Sequence, residues 1–196
     1  MIPSDAGIND ARTMVRSKQD DTNRKRSSDK VALHCIAVFE VQMGIGILAP
    51  VPAVHLTSAM ETCAKVGRVA FGSGSWEVFA KANEVYGIGI PVLIYASHPE
   101  DDPDHLSTPG VVGFRGVYLG TTEARAGKHP NPDVRPLTTI TSLSPDTAAA
   151  FFWEVGELVR IALSSQIKIG QLIAEGQKKP LTRPPRGPML VTAMFL

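Results

Sequence analysis

The longer apolar runs of this chain are brief, rich in β-branched residues and closed by glycine or proline. VALHCIAVFEV (31–41) runs into Gly44, GIGILAPVPAV (44–54) is interrupted by Pro50 and Pro52, and PVLIYAS (91–97) follows a Gly-rich turn. VVGFRGVYLG (111–120) carries three glycines of its own, and MLVTAMFL (189–196) follows a proline-rich stretch. Proline fixes φ and has no N–H to donate, so it is excluded from helix interiors. With 17 Gly and 15 Pro in 196 residues, the pattern favours short strands and turns over a helical bundle. The predicted fold class is α+β: a small mixed or antiparallel β-barrel with short helices between its strands.

The length suits one domain with ragged ends, large enough for a core without a structural metal or disulfides. Residues 1–30 are polar and carry Arg24, Lys25 and Arg26. Such a segment buries too little apolar surface to offset its ordering entropy, so a flexible basic arm is expected there, with one globular domain over 31–196. Cys35 and Cys63 do not suggest a disulfide framework and fit a reducing compartment. No window reaches the length of a membrane span, and MIPSDAGIND has neither the basic nor the apolar region of a signal peptide, so a cytoplasmic location without membrane contact is expected. The net charge of +1 conceals segregation: residues 1–30 sum to +2, residues 31–167 to −5 and residues 168–196 to +4.

Along the domain, VALHCIAVFEV, PVLIYAS, VVGFRGVYLG and MLVTAMFL are predicted strands. HLTSAMETCAKVGR predicts a helix capped by Thr57 or Ser58 and closed by Gly67. Ser75 caps a predicted helix over Trp76 to about Val85, with Val78, Phe79 and Ala82 on one face. LTTITSL (137–143) has strand character. TAAAFFW is predicted as a short helix capped by Ser144 or Asp146, EVGELVRIAL fits helix or strand, and residues 164–176 have the spacing of an amphipathic helix ending at Gly176.

Among residues with chemistry, His98, Glu100, Asp101, Asp102, Asp104 and His105 cluster in one loop, but without the EF-hand order, and a solvated acidic loop is the ordinary outcome of such a run. His34, His55 and His129 lack zinc spacing. Ser73 and Ser75 lie in GSGSW, which is not the G-x-S-x-G elbow. Neither cysteine has a nearby base, so no catalytic residue, cofactor or metal is assigned. FGSGSW could direct backbone N–H groups at an anion, or could be only a tight turn. Trp76, Tyr95, Phe114, Tyr118 and Trp153 could wall a pocket for a flat ligand, or could simply fill the core.

The order of a Ser-Gly turn with Trp76, GIGIPVLIYAS, VVGFRGVYLG and WEVGELVRI over about residues 31–165 resembles the PUA-like superfamily, particularly its EVE and ASCH branches. The resemblance implies a small β-barrel that binds RNA or modified bases in DNA, often with the base flipped into an aromatic pocket. It places Ser75 and Trp76 on the pocket wall, Tyr95 at its floor, and Arg115 and Trp153 near its mouth. The chain lacks the aromatic-rich start of the EVE branch, and its barrel region is net acidic.

Phosphate contacts supply most nucleic-acid affinity, so the segregated charge assigns them to Arg24, Lys25, Arg26, Lys178, Lys179, Arg183 and Arg186. The expected function is a non-catalytic module recognising a modified or flipped nucleobase in DNA or RNA. A small-molecule-binding enzyme or sensor with the same pocket is the alternative. MLVTAMFL must be buried in its own sheet or across an oligomer contact.

Overall fold

The computed structural model describes residues 42–105, 107–141 and 149–195, all within the second of the two units, 1–40 and 41–196, into which the chain divides. The expected arm with Arg24, Lys25 and Arg26, and the strand expected over 31–41, lie outside the described residues.

The strands are β1 (Gln42–Pro52), β2 (Arg68–Ser73), β3 (Pro91–Ser97), β4 (Val111–Glu123), β5 (Phe151–Arg160), β6 (Ile167–Lys168), β7 (Ile173–Ala174) and β8 (Met189–Phe195). They form one mixed sheet in the order β2-β5-β4-β3-β1-β8-β7, with β6 paired to β4. Among the described residues, β1 and β3 alone run parallel, and the other pairings are antiparallel. Between β1 and β3 the chain makes α1 (Leu56–Val66), β2 and α2 (Trp76–Lys81), then a π-helical turn over Ala82–Tyr86. Gly67 closes α1 in the left-handed conformation as its C-terminal residue. The start of α1 differs from expectation: a 3-10 turn over Ala53–His55 leads directly into it, so neither Thr57 nor Ser58 caps it. Among the described residues, no helix is long and apolar enough to cross a membrane.

Strand alternation divides the apolar side chains between two faces. Ile47, Val92, Ile94, Phe114, Tyr118, Phe151, Trp153 and Val155 point inward, where α1 adds Leu56, Ala59 and Cys63 and α2 adds Phe79. Phe79 stacks on Trp153 at 5.4 Å, and Trp153 meets Phe71 at 4.9 Å. Losing the Phe79 ring from so filled a site costs about 3–5 kcal/mol. On the outer face, Leu48, Leu93, Tyr95, Val112 and Val191 are covered by Ile169 and Leu172, and a smaller cluster joins Ala70 and Phe152 to Val134.

The sheet curls because β4 is irregular against both neighbours, with register shifts at Ile94/Tyr95, Arg115/Val117 and Tyr118/Gly120. Such bulges bend a strand and increase its twist. Gly116 lies at one of them, where an added Cβ would stand 2.4 Å from Val155 Cγ1 and 2.8 Å from the Gly156 carbonyl oxygen. Only hydrogen fits there.

The curled sheet does not close, and this corrects the expected barrel. β2 and β7 end the strand order without pairing to each other. The segment leaving β2 spans that gap with side chains: Lys81 Nζ lies 2.6 Å from Glu175 Oε2, and the Tyr86 hydroxyl donates to Glu175 Oε1. A helix stands where the last ladder of a barrel would be.

Three further expectations are corrected. Leu137–Thr141, the described part of LTTITSL, form α3 rather than a strand, and Ser142 and Leu143 lie outside the described residues. Pro136 suits a helix entry, and its carbonyl accepts the Thr139 N–H at 2.9 Å. Phe151, Phe152 and Trp153 belong to β5, which continues through EVGELVR, not to a helix. Residues 164–176 are 3-10 turns alternating with β6 and β7. Ile169 and Leu172 are buried at i,i+3 spacing, which a 3-10 turn aligns as an α-helix does. MLVTAMFL contributes β8, held between β1 and β7.

Candidate functional site

The parallel pair positions a cleft. β1 ends in Pro-Val-Pro, so two of its last three residues have no N–H, and β8 pairs with β1 only as far as Leu48, opposite Met189. Beyond that point the connection leading into β8 diverges from β1. It leaves an open cleft of about 380 Å³ outside the carboxyl ends of β1 and β3. In open α/β sheets, ligands bind outside the carboxyl ends of parallel strands, and this one parallel pair leaves a comparable crevice.

Its walls are largely proline rings, from Pro50 and Pro99 on one side and Pro109, Pro184 and Pro185 on the others, with Tyr95 at the floor. The polar groups at its edge are Ser97, His98 and Arg186. Tyr95 is only 3% exposed. Its hydroxyl donates to the Pro185 carbonyl, which pins the β8 connection onto β3, and burial pushes its pKa up to about 12. The phenol is therefore a neutral strut that fixes the cleft's base, and at 3% exposure it leaves a ligand almost no surface of its own. Arg186, Arg183, Lys179 and Lys178 are all exposed on this connection. None of the four has a salt-bridge partner among the described residues.

The residues expected to share one aromatic pocket are distributed differently. Tyr95 and Arg186 meet in the cleft. Ser75 and Trp76 lie beside its connection, since an added Cβ on Gly187 would stand 3.3 Å from Ser75 Oγ. Trp76 is 49% exposed and meets Phe151 edge to face at 5.1 Å. Trp153 is 2% exposed in the inner core, on the face opposite Tyr95, and this corrects its expected place at a pocket mouth. Period-2 alternation is the cause: Tyr95 shares the outward parity of Leu93, and Trp153 the inward parity of Phe151 and Val155. Arg115 is exposed on β4 in register with Leu93 and Val159, outside the cleft lining.

A second polar constellation, not anticipated from spacing, lies on the outer face of β2, β4 and β5. The Glu154 side chain is 9% exposed and is held by three partners. Arg68 Nη1 lies 3.2 Å from Oε2, the Thr122 hydroxyl donates to Oε1 at 2.6 Å, and His129 Nε2 lies 3.2 Å from Oε1. His129 Nδ1 lies 2.7 Å from the Asn131 carbonyl oxygen and 3.0 Å from the Asn131 nitrogen, so the ring is held at both of its nitrogens. The neighbouring Arg135 donates to the Ala70 carbonyl at 2.7 Å and covers the Phe152 ring at 4.6 Å. Every strong group is paired within the protein, so the cluster fastens the 124–135 segment over the sheet. The sequence signal for it was an acid within the apolar run FFWEV.

In the acidic loop, ligand atoms of His98, Glu100 and Asp101 approach within 4.8 Å of one another, all exposed. Asp102 instead accepts from the Asp104 and Ser107 nitrogens, a local turn. Comparisons with protein-family models, with curated proteins and with solved structures find no match to this chain.

Proposed function

We propose that the domain is a non-catalytic nucleic-acid-binding module that holds a flipped or modified nucleobase in the cleft beyond β1 and β3. The observation that carries this reading is the union, in one cleft, of ring walls with a cation that has no salt-bridge partner among the described residues. The proline faces suit a flat aromatic guest over a base fixed by the buried Tyr95, and Arg186, also in the lining, is where the guest's phosphate would be held. A volume of about 380 Å³ is at the small end of ligand sites and suits one base. Lys178, Lys179 and Arg183, all exposed, continue the positive charge along the same connection. The resemblance to PUA-like domains belongs to this proposal, with the pocket relocated from Trp153 to the proline cleft.

The test is a titration of the full chain with plain and base-modified single-stranded DNA and RNA oligonucleotides over a range of salt. Four cations on the path give a log–log salt slope of about −2 to −3 for a single strand, and Arg186→Ala reduces both affinity and slope. Absence of binding at low salt, or binding indifferent to salt and to Arg186→Ala, would overturn the reading. The acidic charge of residues 31–167 favours a second one, a free small flat ligand. Equal affinity for mononucleotides and oligonucleotides would select it.

A further inference from the structure

We infer that the domain engages single-stranded nucleic acid through two adjacent nucleotides, one base in the cleft, the linking phosphate on Arg186 and the next base stacked on Trp76. This rests on the cleft reading above and adds a second subsite to it.

Three consecutive residues of the β8 connection carry the argument. The carbonyl of Pro185 is fixed by the Tyr95 hydroxyl at the cleft floor. Gly187 lies against Ser75, with only 3.3 Å between Ser75 Oγ and the position of an added Cβ. Arg186 stands between these anchors, exposed and without a salt-bridge partner among the described residues. Consecutive Cα atoms are about 3.8 Å apart, so Pro185 at the cleft and Gly187 at Ser75 lie within about 8 Å of each other along the connection.

Trp76 follows Ser75 directly, and its ring is supported by Phe151 while half its surface stays open. Gly74, two residues before Trp76, has open space where a side chain would begin, with no atom within 4 Å. A supported, half-open indole that follows the residue lying against Gly187, next in sequence to Arg186, has the parts of a stacking platform for single strands. Such stacking is tolerant of base identity because every base presents a π-face. On this account the cleft selects the base, while Trp76 adds affinity for whatever base comes next.

The test compares the four 5′-mononucleotides with the four 5′-phosphorylated homodinucleotides, by calorimetry and by tryptophan fluorescence of the full chain. The chain has two tryptophans, and Trp153 is buried, so quenching by ligand reports on Trp76. The best dinucleotide is expected to bind about 10-fold or more tightly than its mononucleotide and to quench the emission. Trp76→Ala brings that ratio to about one, and Trp76→Phe, which keeps a stacking face, retains part of it. If mononucleotides bind and dinucleotides gain nothing, the second subsite is wrong and the cleft reading stands. If dinucleotides gain affinity but Trp76→Ala leaves the ratio intact, the subsite lies elsewhere. If no probe binds, the cleft reading fails, and this inference with it.

Discussion

The two polar regions on the outer face of the sheet differ in how their charges are satisfied. At Glu154, a guanidinium, an imidazole, a hydroxyl and a carboxylate answer one another, with Arg135 bound to backbone and ring beside them. At the cleft, Arg186 and its basic neighbours face solvent beside proline rings, and the one buried hydroxyl there serves the backbone. A fully paired cluster has no remaining valence for a ligand, and its removal is felt in stability. Exposed, unpaired cations contribute little to folding and are available for a partner's charge. The first region is therefore assigned to architecture and the second to binding.

The largest effect separating them is in stability. Glu154→Ala leaves the His129 ring without its acceptor and Arg68 without its carboxylate. Arg68 is 48% exposed and recovers water, so the expected loss is about 2–4 kcal/mol rather than the full penalty of a buried pair. Chemical denaturation reads this directly, with oligonucleotide affinity unchanged in the folded fraction. A loss below about 0.5 kcal/mol, in the range of ordinary surface changes, would remove the distinction.

Arg186→Ala is expected to give the converse result. Stability stays within about 0.5 kcal/mol, while the affinity for single strands at low salt falls several-fold and the salt slope becomes shallower by about 0.7. A variant that unfolds early would place Arg186 in the architecture instead.

The smallest expected effect concerns the segment joining the two edges of the sheet. Hydrogen bonds from Lys81 and Tyr86 hold the Glu175 carboxyl below its ordinary 4.5, and the same carboxylate raises Lys81 above 10.5 and Tyr86 above 10.0. A lowered carboxyl pKa contributes stability that is present above 4.5 and is lost as pH falls through the folded value. The raised Lys81 and Tyr86 values contribute stability that is present below about 10 and is lost as pH rises. The difference in melting temperature between the native chain and Glu175→Gln is therefore expected to be flat from about pH 5 to 9 and to shrink on either side. A difference that grows below pH 4.5 would contradict the assignment.

Much of the sheet was legible because β-branched runs ending at glycine or proline have few alternatives, as PVLIYAS and VVGFRGVYLG illustrate. The helix over Leu56–Val66 announced its end at Gly67 but not its start, since a 3-10 turn shares its spacing. What could not be read was which residues share a face across strands far apart in sequence. Tyr95 and Trp153 both lie in apolar strands, and alternation within each says nothing about their relative parity. Tertiary pairing decides that, and it puts them on opposite sides. The cleft was hidden for a related reason: its walls come from five prolines that individually signal only turns, and they converge only when β1 and β3 run parallel. Closure was misjudged because a helix and a short strand replace the final ladder, linked by three side chains distant in sequence.

The central claim is that the cleft beyond β1 and β3, with the Arg186 connection, is the binding surface. The most direct measurement is an amide and side-chain NMR titration of the full chain with a single-stranded oligonucleotide. Shifts concentrated on Tyr95, Ser97, Gly110, Arg186 and Trp76, with His129 and Thr122 unmoved, are the predicted result. Shifts centred on the Glu154 cluster, or none at saturating oligonucleotide, would contradict it.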